Sequence, residues 1–583
     1  MTRIPGSRYR AVRAAIVVAA TGTLLIALTG IPVGGQQSPQ ISRDDEETCL
    51  ACHSAATEKT PPVDRAALAR SPHSALKCQD CHASITSAPH TPSMLKDRAS
   101  CAACHVDQSE AYNKSAHRYP DKKPGDHPTC VTCHGGGDPH GIRTKSRWPR
   151  ADKVALCSSC HADAARMRRY GPDADAVPSY RESFHGKALL RYGNLKVATC
   201  TDCHGHHGVL SPEDPAAPTN RTHAAATCGQ AGCHVGARVN FAMSGANHLR
   251  LKLKQSGGLR LEEGFFRFLT VGTLIMLLLG VAFDLRAEVF GKTPPAAGRP
   301  TGIAISLAFL SVVVALGMAY FGVSGLRWPI LAAIVLIGIG VALLTLRPRP
   351  PVSRKDEKRY SRFTVVQRLQ HVVLAISFTL LVLTGMPLRY PDAASLRGAY
   401  VLFGGLAVLR VVHRVAAVLM IAGWIWHTLY LIYRWWKAGF KLSSWTMFPT
   451  MKDVGDFLKT VGYYLGQEKE EPKYDRFQFR EKFDYFAVYW GMPIMVLSGL
   501  VLWFPIALGN LLPDWGLSAA YIAHSDEAVL AFLAILMWHF YNTHFHPEHF
   551  PMSPVWLTGS LTESEMAREH PLELERIKAA REE

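Results

Sequence analysis

Six times the chain reads Cys-x-x-Cys-His: Cys49, Cys52 and His53; Cys78, Cys81 and His82; Cys101, Cys104 and His105; Cys130, Cys133 and His134; Cys157, Cys160 and His161; Cys200, Cys203 and His204. A seventh set, Cys228, Cys233 and His234, has four residues between its cysteines, and with it all 14 cysteines are used. Two thiols followed directly by histidine suit covalent attachment of c-type haem. The thiols form thioethers to the porphyrin and the histidine takes the iron from one face. Structural zinc needs paired Cys-x-x-Cys with no fixed histidine, and a disulfide framework needs none at all, so histidine after every set points to seven covalent haem c groups. The wider seventh loop reads as a variant haem motif or a degenerate one.

An iron that only passes electrons favours a second axial ligand, and residues 49–250 offer ten further histidines for seven irons. The candidates are His73 and His90 before the second and third sites, His117 after Ser115, His140 after the fourth site, His185 in Ser-Phe-His-Gly, His207 in Cys-His-Gly-His-His-Gly, and His248. His127, His206 and His223 are spares; for any candidate the alternative is a solvated loop histidine. The surplus argues against an open five-coordinate haem of the kind that binds a substrate such as nitrite.

A second set of histidines, His371, His413, His427, His524 and His539, sits inside apolar runs. Ionisable groups at membrane depth are costly and usually functional. One such histidine could be an interhelical hydrogen-bond partner; five suggest iron ligands. His413 and His427 are 14 residues apart and His524 and His539 are 15 apart, about 21 and about 22 Å of helix. That is the separation wanted by two stacked haem b groups, and on spacing alone His427 would be one of their ligands.

These residues need two kinds of scaffold. Of 583 residues 48% are apolar and 19% charged, and the mean hydropathy is +0.03, too apolar for an ordinary soluble globule. Residues 1–30 carry Arg3, Arg8, Arg10 and Arg13 and then an apolar stretch, the order of an export signal, either cleaved or kept as an anchor. A linker, 31–48, leads to the heptahaem domain, 49–250. With about 29 residues per haem this domain has too little chain for a conventional core, so it should be loop-rich, with short helices wrapped on porphyrins. Apolar runs at 265–284, 302–322, 328–346, 364–387, 408–433, 484–505 and 521–542 predict a seven-helix transmembrane region in a membrane all-α fold. Three of these helices fall in 265–346 and four in a di-haem bundle, 360–550; a cytoplasmic tail, 551–583, follows. Haem c is attached outside the bacterial inner membrane, so the head should face the periplasm. The basic stretch from Arg347 to Arg362 then falls inside, as the positive-inside rule asks. The net charge of +17 is spread along the chain, with no basic tract interleaved with aromatics, so nucleic acid is not expected as a partner.

The segment Gln367-Arg-Leu-Gln-His371 through Leu383-Thr-Gly-Met-Pro387, with His413-Arg414 on the next helix and His524 and His539 on the last, resembles the four-helix di-haem cytochrome b subunits of respiratory formate dehydrogenases and nickel-iron hydrogenases. The head resembles multihaem cytochromes c of the cytochrome c3-like and NapC/NrfH-associated kind. A fusion of the two is similar to inner-membrane quinone:cytochrome c oxidoreductases. The resemblance implies His371, His413, His524 and His539 as the haem b ligands, in conflict with the spacing argument, and leaves His427 for a quinone site or for packing. It also implies electron transfer between menaquinone or ubiquinone in the bilayer and periplasmic or outer-membrane multihaem cytochromes. Two alternatives stand beside this: a membrane-anchored terminal reductase with one open haem, and a haem-carrying subunit of a larger dehydrogenase or reductase complex.

Overall fold

A computed structural model describes residues 49–55, 62–85, 94, 100–118, 127–136, 138–143, 148–290, 357–441, 444–464, 467–546 and 552–582. The export signal, the linker, His90 and the runs 302–322 and 328–346 lie outside the described residues. Five described helices are long and apolar enough to cross a membrane. They are α1 (Gly257–Phe290), α2 (Val365–Arg389), α3 (Leu406–Lys437), α5 (Phe479–Trp503) and the helix beginning as α6 (Gly516–Ala534), which continues to Phe545.

Local chemistry sets their ends. Thr364 and Gln367 cap α2 reciprocally, and Gln478 with Glu481 does the same for α5. The chain before α3 turns through Gly404 and Gly405, at φ 71° and 106°, a region open to glycine at little cost. Between α3 and α5 lies α4 (Met451–Tyr464), which the apolar runs do not announce; its Asp453 accepts from Lys482 of α5 at 2.9 Å. After Ala534 the last helix widens into two π-helical turns, Ile535–His539 and Tyr541–Phe545. Such turns recur at functional sites.

Contact clustering divides the described chain into two compact units. One holds the residues up to Pro149 together with His206–Val209; the other holds Arg150–Gly205 and everything from Leu210 onward. In the first, helices are as short as Cys78–Cys81, Val106–Asn113 and Cys130–His134, and no described apolar side chain is buried. This matches the loop-rich expectation and leaves the porphyrin faces as the available core. The second unit differs. Val154, Tyr180, Ala188, Leu189 and Val197 form a small apolar cluster of ordinary kind, because the helices Arg150–His161, Ala176–Glu182 and Phe184–Leu190 are long enough to present apolar faces to one another.

In the membrane region α1 packs along the whole last helix: Leu259 and Phe266 against Ile522, Leu274 and Leu277 against Val529, Leu533 and Met537, and Val281 against Tyr541. Its Asp284 accepts from Tyr464 at 2.6 Å, meets Tyr541, and lies 3.0 Å from His546. The segment expected as a tail packs on the rest of the fold. β1 (Arg359–Ser361) pairs antiparallel with β2 (Ser560–Thr562), matching Tyr360 to Leu561, and α7 (Pro571–Glu582) brings buried Glu573 to buried Arg362. His570 lies 3.2 Å from the same guanidinium.

Burial, and then the charge of Arg362, push His570 down to about 4, so it is neutral when docked. An undocked histidine, at about 6.5, takes up its proton first; docking is therefore fully retained above about pH 6.5 and weakens as pH falls from there toward 4. Hydrogen exchange of the 571–582 amides, normalised for intrinsic rate, should show protection falling between pH 7.5 and pH 5, with the fall mostly removed in His570→Gln. Equal pH dependence in both proteins would refute the assignment. Glu573→Gln, which removes the buried carboxylate paired with Arg362 and Arg476, should cost up to about 3–5 kcal/mol of docking at pH 7.5.

Candidate functional site

Two imidazoles bound to one iron from opposite faces place their ring centroids about 6 Å apart, twice a metal–nitrogen bond of about 2 Å plus the ring radii. In the first unit three motif histidines meet a second histidine at this spacing. His73 and His105 are 5.9 Å apart, His82 and His140 6.4 Å, and His134 and His207 5.9 Å. In the second unit His185 faces His234 at 5.8 Å and His204 faces His248 at 6.3 Å. Five of the sequence-derived second ligands, His73, His140, His185, His207 and His248, are thus each brought to a motif histidine. His53, His161 and His117 stand outside these five pairs. His127, counted as a spare, has its Nδ1 3.2 Å from the carbonyl oxygen of His117, and the ring of His206 lies against His207.

Backbone carbonyls orient several of these rings. His134 Nδ1 lies 3.4 Å from the carbonyl of Arg143, and His248 Nδ1 lies 3.0 Å from that of Ala176. A ring N–H donated there leaves Nε2 bare for a metal. Burial holds His204 down to about 4 and also lowers His185 and His248, so all three stay neutral, the form that ligates. The motif turns are capped locally: Thr129 Oγ1 accepts from Thr132 N at 3.2 Å at the start of Cys130–His134, and Asp202 accepts from Thr199 N at 2.7 Å at the start of Cys200–His204.

The membrane histidines form two pairs. His413 of α3 and His524 of α6 are 6.5 Å apart; His371 of α2 and His539 in the first π-helical turn are 6.2 Å apart. The two positions on the last helix are separated by about 22 Å of rise. The His413–His524 pair is held by matching devices. His413 Nδ1 lies 2.8 Å from Thr384 Oγ1, whose own hydroxyl donates to the Leu380 carbonyl, and His524 Nδ1 lies 3.1 Å from Ser498 Oγ. The next residue in each case is glycine. A Cβ on Gly385 would come within 3.2 Å of His413 and one on Gly499 within 3.1 Å of His524, so both glycines make room for an imidazole. This Leu-Thr-Gly and Leu-Ser-Gly repetition, at 383–385 and 497–499, was the available sequence signal for these supports. In the His371–His539 pair His539 Nδ1 is 3.1 Å from Asp484.

His427 takes neither place. Its Nδ1 is 2.8 Å from Gln370 Oε1 and its Nε2 2.9 Å from the Tyr485 hydroxyl, so spacing along α3 does not settle which histidines meet across the bundle.

Within the second unit, residues 184–192 and 240–241 seat on one end of the four haem-type helices. Tyr192 donates to the Pro387 carbonyl at 2.6 Å, Lys187 reaches the Arg389 carbonyl at 3.2 Å, and Asn240 donates to Leu512 O at 3.0 Å. Phe241 packs on Gly509 with its ring 5.0 Å from that of His234, and Arg410, one turn before His413, lies over Phe184, the neighbour of His185. The pair His185–His234 therefore sits at the His413–His524 end. A cavity of about 2170 Å³ is lined by all three pairs. Ligand pockets commonly hold about 300–1,000 Å³, so this one has room for more than one macrocycle. Buried Arg368 Nε and Arg389 Nε on its walls lack partners among the described residues, as expected of groups that meet a ligand's carboxylates. The residues fit haem.

His413→Ala and His524→Ala should each remove one extractable haem while leaving the covalent haems intact, as read by pyridine haemochrome assay. His371→Ala should remove the other, and His427→Ala should retain both. Loss of an extractable haem in His427→Ala with retention in His371→Ala would reverse the inner assignment.

Residues 362–550 match the family model described as prokaryotic cytochrome b561, and residues 123–166 match the doubled CXXCH motif. α1 lies outside both matches. No curated protein matches the chain. Taken with the paired histidines, these matches make the chain a multihaem c-type segment fused to a membrane-embedded b-type cytochrome domain, built for haem-based electron transfer.

Proposed function

We propose that the protein is a quinol:cytochrome c oxidoreductase of the bacterial inner membrane, with two haem b groups, seven haem c groups and its c-type head on the periplasmic side. The carrying observation is the series of three histidine pairs in one unit: the inner pair His371–His539, then His413–His524, then His185–His234 at the end where residues 184–192 and 240–241 are seated. The arrangement supports passage along the bundle and out through the head. The end of α3 away from His413 carries Arg434 and Lys437, which supports a cytoplasmic placement for the inner pair.

Haem supplies a one-electron couple whose potential follows its ligands and burial. The chain positions and insulates. Thr384, Ser498 and Asp484 hold imidazole tautomers, Gly385 and Gly499 admit the rings, and the apolar faces of α2, α3, α5 and α6 keep water away. No nucleotide, flavin or iron–sulfur motif appears in the sequence, so the lipid-soluble partner this membrane domain can meet is a quinone. Two-electron quinol oxidation would then be split into single electrons, delivered to periplasmic or outer-membrane multihaem cytochromes. An electron moving outward across a potential of 100 mV, negative inside, is stabilised by about 2.3 kcal/mol, which favours quinol oxidation at the inner end.

Acid-acetone extraction followed by haemochrome assay should find seven covalent and two extractable haems per chain. Six covalent haems would mark Cys228, Cys233 and His234 as a site without haem. A menaquinol analogue mixed with the purified protein should reduce the c haems, and His539→Ala, lacking the inner haem, should slow that reduction at least tenfold. An undiminished rate in a variant shown to lack the inner haem would move the quinone to the His413–His524 end.

A further inference from the structure

α4 is built inside out. Asp453 and Asp456 are only 9% and 8% exposed, whereas Met451 and Leu458 are 82% and 62% exposed. The buried side finds its partners within the protein: Asp453 accepts from Lys482 at 2.9 Å, Thr460 lies 2.9 Å from the Tyr474 hydroxyl, and Tyr464 donates to Asp284 at 2.6 Å. On the other side Val454 and Phe457 join Met451 and Leu458 in an apolar stripe with helical spacing. A helix at the surface of a soluble protein is arranged the opposite way, so this stripe asks for an apolar neighbour.

The depth of α4 says which neighbour. Phe457 and Leu458 share a crevice of about 280 Å³ with Met276, Leu279 and Phe283 of α1 and with Trp538 of the last helix. Met276 stands eight residues before Asp284, about 12 Å of rise into a membrane-spanning helix. Met276 and Leu279 are themselves exposed, on the flank α1 offers to lipid. The exposed charge at this end has one sign. Between Arg434 and Tyr464 the chain carries Arg434, Lys437, Lys441, Lys452 and Lys459, all exposed, against the buried Asp453 and Asp456. Exposed Trp436, Trp445 and Phe448 stand among them in sequence, the composition of a membrane interface. The apolar runs 302–322 and 328–346 are the other candidates to cover α4, but neither contains an Asp or Glu to meet these cations. A phospholipid phosphate does.

We propose that α4 and the basic residues closing α3 form a binding surface for anionic phospholipid in the leaflet at that end of the bundle. The apolar stripe lies among acyl chains, one of which enters the crevice between α1 and α4, and the lysines meet the phosphate. The site is independent of the direction of electron flow. It fixes α4 at the bilayer surface, so that Tyr464 is held against Asp284 and Asp453 against Lys482.

The test reconstitutes the full-length holoprotein in phosphatidylcholine bilayers with a trace of phosphatidylglycerol or phosphatidylcholine carrying a photoactivatable diazirine in the acyl chain, and maps the labelled peptides by mass spectrometry. Ile376 of α2 and Val418 of α3, exposed in mid-span, serve as references. Labelling of α4 and of 276–283, relative to these references, should be about fivefold stronger from phosphatidylglycerol, the effect of one basic group near the surface. The combined Lys437→Gln, Lys441→Gln and Lys459→Gln variant should lose that preference while keeping its haem content by haemochrome assay. Equal labelling from both lipids in wild type, or an undiminished preference in the variant, would overturn the proposal. So would an α4 that neither lipid labels while Ile376 and Val418 are labelled, which would assign the stripe to another segment of the chain.

Discussion

An iron bound by two imidazoles demands that two side chains from distant parts of the chain meet face to face, about 6 Å apart, both neutral and both turned with the same nitrogen inward. Most of the architecture can be read as the means of meeting that demand repeatedly. In the head it is met with little more than short turns: His73 reaches His105 and His82 reaches His140 across loops, and no described apolar side chain is buried in that unit. A fold of this kind depends on its cofactors for cohesion, because otherwise its polar loops have almost nothing to bury.

In the membrane the same demand is met by helices, and the price of burying a polar ring is covered by neighbouring hydroxyls. Thr384 and Ser498 each bond back to their own helix and so present oxygen to an imidazole without leaving their own donor unsatisfied. The adjacent glycines then let the ring approach the opposing backbone. The His371–His539 pair is built differently. His539 sits in a π-helical turn, where the extra residue rotates the helix face, and it leans on the carboxylate of Asp484.

The last helix therefore carries one ligand for each pair and also the irregular turns, and it is braced. α1, outside the matched families, runs beside it from Ile522 to Tyr541 and carries Asp284, which gathers Tyr464, Tyr541 and His546. A carboxylate so placed is tolerable only with such partners. From the other side the returning segment 555–582 closes on β1 through Tyr360, Leu561 and Met566, bringing Trp556 to within 5.9 Å of His371. His371 and His539 are thus flanked by pieces that an isolated four-helix bundle would lack.

The sequence by itself determined the chemistry of the head. Cysteine pairs with a following histidine are contiguous in the chain, so the motif is complete before folding, and the apolar runs of α2, α3, α5 and α6 announce a bundle because burial in lipid is written as unbroken hydrophobicity. What the chain could not state was which histidines face each other. His427 stands at a rise along α3 that would suit an iron ligand, yet its two ring nitrogens meet Gln370 and Tyr485, while His371 meets His539. α4, the bracing by α1 and the docking of Arg362 with Glu573 were equally hidden, since each joins residues remote in sequence whose types are ordinary one at a time. Tertiary structure decided these pairings because facing across a bundle depends on the relative rotation and translation of helices, which no spacing within a single helix encodes.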